Sequence, residues 1–157
     1  MPTLPGLQLR PTSPDDYLRL YQFQLDPHAT AMAAFPARNW EAFVAHQQRI
    51  AADPQVIACT ILLDGEVVGS IGGFTLEGKR MAGYWVGRAY WGRGIATAAL
   101  SALLELDPTR PYYAYVAKHN ERSRRVLEKC GFRVIAEERY HDDLTGGEIE
   151  ELLLELG

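Results

Sequence analysis

The sequence predicts an α/β domain, a mixed sheet with helices on both faces, and three stretches carry that expectation. From Gly83 to Leu106 a strand pattern passes through Gly92-Arg93-Gly94 into a helix. The helix's apolar positions Ile95, Ala99, Ala102, Leu103 and Leu106 recur at helical spacing. Val56 to Leu63 is a nearly continuous apolar run, as expected of a strand covered on both faces, and Asp64-Gly65 after it is a two-residue hairpin signal. Tyr112 to Val116 follows the glycine-rich helix, so strand, helix and strand form a unit whose strands run parallel.

The other elements follow in chain order. Leu7-Gln8-Leu9-Arg10 alternates as a short strand. Ser13-Pro14-Asp15-Asp16 reads as a helix start, with a cap, proline at the first helical position and acids in the first turn. That helix runs to about Leu25 and stops before Pro27. His28 to Arg38 has small residues and no clear period, and reads as a loop. Asn39 caps a second helix that places Trp40, Phe43, Val44, Gln47 and Ile50 near one face and ends before Pro54. Glu66 to Phe74 returns as the hairpin partner, with Gly69, Gly72 and Gly73 weakening it or marking bulges. Lys79 to Val86 is the next strand. Asn120 to Phe132 holds one short helix, Asn120 suiting its N-cap and Gly131 its C′ position. Phe132 to Tyr140, a turn near Thr145-Gly146-Gly147, and a strand from Glu148 to Leu156 complete the chain. No repeat, linker or low-complexity tract interrupts it, so residues 1–157 read as one domain.

Composition narrows the class. A chain of 157 residues can bury a sizeable core. Its 16 Lys and Arg against 20 Asp and Glu give a net charge of −4. That balance offers no reason to expect nucleic acid, and it would not repel a cationic amine. Cys59 and Cys130 are too few, and too apolar in context, for a disulfide framework or a metal site. Neither a signal peptide nor an apolar run of about 18 residues is present, so the expectation is the cytoplasm and no membrane.

The chemistry concentrates where the strand meets the glycine-rich helix. Backbone N–H groups at a helix start lack intrahelical partners, and the helix dipole adds partial positive charge. Glycines at 92 and 94 remove side chains that would keep a phosphate away, and Arg93 adds a full charge. A dinucleotide fingerprint counted from Gly92 would need a third glycine where Thr97 stands. A P-loop counted from Gly87 reaches Gly92 but continues with Arg93 and Gly94 instead of Lys and Ser or Thr. What remains is a phosphate cradle of another kind, or a tight turn without a ligand.

The run Tyr90-Trp91-Gly92-Arg93-Gly94, followed by Ile95-Ala96-Thr97, and the later set Asn120, Ser123, Lys129, Gly131 and Phe132 together resemble the GNAT-type N-acetyltransferase superfamily. They are most similar to its branch of RimJ/RimL-like ribosomal-protein N-terminal acetyltransferases. The resemblance runs from about Leu7 onward and is sharp over residues 83–132. It implies a GNAT-like fold, acetyl-CoA as co-substrate and no metal. It places the pyrophosphate over residues 92–97 beside Trp91, with Arg93 as charge partner. The pantetheine arm would pair with the strand edge at Tyr84, Trp85 and Val86 like a short peptide. Asn120 would hydrogen-bond the arm, cap its helix, or do both. Ser123 matches the family serine near the sulfur, and it also suits a polar first-turn position. The segment 28–38 matches the acceptor side of the family, and it also suits an ordinary surface connection.

The implied reaction is direct attack of a primary amine on the thioester in a ternary complex, with no covalent enzyme intermediate. Cys59, mid-strand, and Cys130, just before the C′ glycine, read better as small core residues than as nucleophiles. The chain departs from its branch at the base. A glutamate often found before the glycine-tyrosine pair is absent from Met81-Ala82-Gly83-Tyr84, and a second one is replaced by Ala98. Glu77, Tyr140, His141 and Asp142 remain as candidates. An α-amine titrates near 7.7–8.0 and a lysine near 10.4, so a site without a strong base leans toward an α-amine acceptor. Protein or peptide N-termini and small amines such as polyamines stay open as acceptors, as do monomer and homodimer. A catalytically degenerate acyl-CoA-binding protein is the second reading, and another phosphate-ligand binder is the third.

Overall fold

The computed structural model describes residues 3–34, 37–141 and 146–157. Seven strands, β1 (Leu7–Pro11), β2 (Ile57–Leu63), β3 (Glu66–Leu76), β4 (Lys79–Val86), β5 (Tyr112–Ala117), β6 (Arg133–His141) and β7 (Glu148–Leu156), form one sheet. Their order is β1-β2-β3-β4-β5-β7-β6. The helices are α1 (Tyr17–Gln24), α2 (Pro27–Ala33), α3 (Trp40–Ala52), α4 (Ile95–Leu106) and α5 (Glu121–Lys129). Both residues of the expected hairpin turn between β2 and β3 are left-handed, Asp64 at φ 51° and Gly65 at φ 81°, as a type I′ turn requires.

Neighbouring residues on β3 look to opposite sides of the sheet. Val68 joins the main core with Ile95, Leu100 and Leu103 of α4. Val67 packs against Tyr17, Leu20 and Phe43 of α1 and α3. Helices therefore cover both faces, as the sequence predicts. Within the smaller cluster Tyr21 meets Trp40 edge to face with ring centres 5.2 Å apart. The register shifts at Ile61/Leu62, where Ile61 pairs with Gly69 and Leu62 with Val67, so Val68 is the extra residue of a bulge. Gly73 has a separate reason. A Cβ there would collide with the Tyr112 hydroxyl.

The junction of β4 with β5 sets up everything that follows. The two strands run parallel and pair only at Arg80↔Tyr112 and Met81↔Tyr113. Beyond that point β5 continues along β7, from Tyr112↔Leu156 to Ala117↔Glu151. The paired end is held by ions. Arg80 Nε lies 2.6 Å from Asp107 Oδ2, and the Tyr112 hydroxyl donates to the same oxygen at 3.0 Å. Burial alone would raise the Asp107 carboxyl, but hydrogen bonds from Thr109, Arg80 and Tyr112 outweigh it and hold the group at about 2. Burial, with that carboxylate beside it, pushes the Tyr112 phenol to about 12.

The structure corrects the reading of residues 28–38. Pro27–Ala33 is a helix. Asp26 accepts from the N–H groups of His28 at 2.9 Å and Ala29 at 3.4 Å. Pro27 supplies the preset φ of a first helical residue, and Ala34, left-handed at φ 53°, ends the helix. The proline that reads as the stop of α1 is also the start of α2. Some boundaries move as well. Pro14–Asp16 is a single tight turn ahead of α1, and β3 continues past Phe74 to Leu76. Phe35, Pro36 and the turn at Thr145 lie outside the described residues.

Candidate active site

Where β4 and β5 part, two helices begin. Gly92 at φ 80° and Gly94 at φ 77° carry the chain from β4 into α4. An added Cβ at Gly94 would meet nothing within 4 Å. Glycine there satisfies the left-handed backbone and leaves open space above it. No side chain caps α4, and Ala98 N–H to Gly94 O, at 3.1 Å, links the helix back to its cap. The N–H groups of residues 95–97 therefore face outward with the positive end of the dipole. Asn120 begins α5, its Oδ1 accepting from the Ser123 N–H at 3.2 Å.

Both beginnings open on one cleft of about 600 Å³. The unpaired part of β4 forms a wall with Tyr84, Trp85 and Val86. Trp91, Gly92, Gly94, Ile95, Ala96 and Thr97 form its floor, and Asn120 and Ser123 stand on the α5 side. Trp91 Nε1 donates to Val86 O at 2.8 Å, fixing the indole against the end of β4. The Trp85 Nε1 atom is buried with no hydrogen-bond partner among the described residues. The expected loop contributes too, because Ala29, Met32 and Ala33 of α2 line the same cleft. The contact of His119 Nε2 with Ala31 O, 3.0 Å, ties α2 to the turn after β5.

Of the residues expected to hold the cofactor, Arg93 is the one that does not line this cleft. Its guanidinium stands 5.7 Å from the Tyr90 ring centre. The cations that do line it are Arg122, Arg125 and Lys129 of α5. Arg122 sits 5.2 Å from the Trp91 ring centre, and its Nη1 is the nearest group, at 3.9 Å, to a Cβ built on Gly92. Sequence reasoning passed over Arg122 and Arg125 and used Lys129 only as part of a motif, although spacings of three and four residues put all three on one helix face.

The base candidates scatter. Glu77 lies in the β3–β4 turn at φ 50°, and Tyr140 and His141 are exposed on the edge strand β6. Asp142 lies outside the described residues. Met81, Ala82 and Ala98 are 2%, 7% and 4% exposed, so the positions at which the resemblance leads one to expect glutamates are apolar and buried. Glu151 on β7 is half-buried, and burial together with Glu138 raises its carboxyl above the ordinary range. Both cysteines are buried, and burial raises each thiol, which disfavours the thiolate.

One pair in the cleft is set apart. The Tyr84 hydroxyl lies 2.6 Å from Ser123 Oγ and 3.2 Å from the Ser123 carbonyl oxygen. Burial pushes its phenol to about 12, against a smaller opposing effect of the serine hydrogen bond. It stays protonated at any working pH.

Known proteins share this fold. A solved structure of Mycobacterium smegmatis RimJ in complex with CoA-disulfide superposes with a TM-score of 0.76 over 96% of this chain and 81% of that one, at 24% identity. Spermidine N-acetyltransferase from Vibrio cholerae, in complex with CoA and spermine, gives a TM-score of 0.83 over 96% and 95%, at 12% identity. At those identities the shared property is the fold. In sequence, the chain is 34% identical over 100 residues to YdaF of Bacillus subtilis (strain 168), provisionally named a ribosomal N-acetyltransferase. That stretch is 59% of this chain, which spans about half the length of the relative, 54%. The model of the acetyltransferase (GNAT) domain matches residues 7–133. With that match across both glycine-rich and α5 segments, the chain belongs to the GNAT acetyltransferase family.

Proposed function

We propose that this protein is a single-domain N-acetyltransferase that moves an acetyl group from acetyl-CoA to a primary amine by direct attack in a ternary complex. The observation that supports it most is the parting of β4 from β5 beside two open helix N-termini. A free strand edge suits the two amides of a pantetheine arm, and the N–H groups of residues 95–97 suit a pyrophosphate. Open space above Gly94 leaves room for it. Arg122, held over Trp91, is better placed than Arg93 to neutralise that charge. Asn120 keeps its cap through Oδ1 and has its amide nitrogen left to donate into the cleft.

Acetyl-CoA supplies an activated acetyl group as a thioester. The protein's residues have two tasks beside it, to accept the amine in its neutral form and to stabilise the departing sulfur. For the second, Ser123 offers a hydroxyl donor in the cleft. For the first, Glu121 is the one carboxylate lining the cleft among the described residues, and it stands 3.7 Å from Arg125. A site so arranged favours an amine that is neutral near physiological pH, such as the α-amine of a protein or peptide N-terminus. The name of YdaF, a ribosomal N-acetyltransferase, supports a protein amine as acceptor, and the spermine complex keeps small polyamines in the test.

The apolar residues before Gly83-Tyr84 and at Ala98 favour one alternative, a degenerate protein that binds acyl-CoA without turnover. The deciding measurement is thiol release from acetyl-CoA between pH 6 and 9. The amine panel holds peptides with free N-termini, N-blocked peptides with internal lysines, polyamines and aminoglycosides. Turnover on free N-termini alone is the expected result. Turnover confined to another class replaces the acceptor, and bound acetyl-CoA with no turnover favours the degenerate reading.

A further inference from the structure

We propose that Tyr84 is a positioning residue for the departing sulfur, its hydroxyl donating to Ser123 Oγ so that the Ser123 O–H points into the cleft. The inference rests on the acetyl-CoA reading above and adds to it a residue on the opposite wall. Two oxygens 2.6 Å apart share one hydrogen, and either can be its donor. With an empty cleft, Ser123 can donate to Tyr84 while Tyr84 leans on the Ser123 carbonyl at 3.2 Å. A sulfur that accepts from Ser123 removes that choice, and Tyr84 must then be the donor.

The surroundings fix the pair in place. Asn120 holds the Ser123 N–H from below at 3.2 Å. Tyr84 comes from the unpaired length of β4, 39 residues away in sequence, so the bond joins the two walls of the cleft. Tyr84 is held neutral by burial, which makes it a constant donor. In the transfer, the bond from the amine nitrogen to the carbonyl carbon forms as the carbon–sulfur bond breaks. The electron pair goes to sulfur, where the Ser123 O–H stabilises it. The amine's surplus proton leaves to water, and Tyr84 keeps its own.

The test uses CoA itself as the probe, so it needs no identified acceptor. CoA labelled with ¹³C at the carbon beside sulfur is bound to the wild type, Tyr84→Phe and Ser123→Ala, and the thiol is titrated by NMR. Two hydroxyls in series lower the bound thiol's midpoint by about one pH unit relative to free CoA, a tenfold effect. Both substitutions are expected to return at least half of that shift, and the double variant no more than Ser123→Ala alone. A Tyr84→Phe complex that titrates like the wild type overturns the inference. So does a double variant whose effects add, since Tyr84 would then act independently of Ser123. A wild type that binds no CoA overturns the acetyl-CoA reading, and this inference with it, before any titration begins.

Discussion

The two ends of β4 differ in what they are made to do. At Arg80 and Met81 the strand is paired to β5 and bolted by the Arg80–Asp107–Tyr112 cluster. Only three residues on, Tyr84 to Val86 have no strand partner on that side among the described residues and line an open cleft. Unpaired backbone beside a cavity is unstable unless something else fixes the strand, because its N–H and C=O groups have water as their alternative partner. The bolted end supplies that fixing. Stability and ligand recognition are thus segregated along one strand, and variants at the two ends should separate cleanly.

The largest effect belongs to the bolted end. Asp107→Ala leaves a largely buried guanidinium and the Tyr112 hydroxyl without their shared acceptor, and should cost about 3–5 kcal/mol of stability. Chemical denaturation measures it. The same carboxylate has an acid signature. Its folded pKa, about 2, lies below the ordinary 3.8, so its stabilisation is complete above pH 3.8 and disappears as pH falls toward 2. The wild type should lose stability through that window more steeply than Asp107→Ala. Equal slopes would mean that the cluster does not bolt the strand.

The open end should answer in affinity instead. Gly94→Glu puts a negative side chain into the space above the α4 N-terminus, and should weaken acetyl-CoA binding at least about 100-fold, or ~2.7 kcal/mol. Gly94→Ala carries the same left-handed strain, about 1 kcal/mol, without the charge. Calorimetry on the two variants separates the terms. Similar stabilities with only the glutamate losing affinity support the cradle. Unchanged affinity in Gly94→Glu removes it.

How much of this was legible in the sequence follows from how local each feature is. The strands, the hairpin turn, α4 and α5 are written in period and capping, and so are Gly92, Gly94 and Asn120. Helix α2 was missed because Pro27 ends one helix and opens the next, and its small residues show no apolar stripe. Arg122 and Arg93 exchange expectations for a different reason. Arg93 stacks on Tyr90 and Arg122 on Trp91, and neither contact leaves a mark in the pattern of its own segment. The parting of β4 from β5 and the meeting of Tyr84 with Ser123 belong to the tertiary fold alone.

Asn120 sits where the two kinds of role overlap, and gives the smallest and most discriminating effect. Its side chain caps α5, so Asn120→Ala should cost about 1 kcal/mol of stability. If the cap were its whole role, Asn120→Asp would restore stability and activity together, because aspartate caps as well as asparagine. An amide donor to the pantetheine arm cannot be replaced by a carboxylate, which only accepts. Asn120→Asp should therefore recover stability while the KM for acetyl-CoA stays raised several-fold. Thermal unfolding and acetyl-CoA titration on the same two variants test this. Joint recovery would reduce Asn120 to a cap and leave the edge of β4 as the contact proposed for the arm.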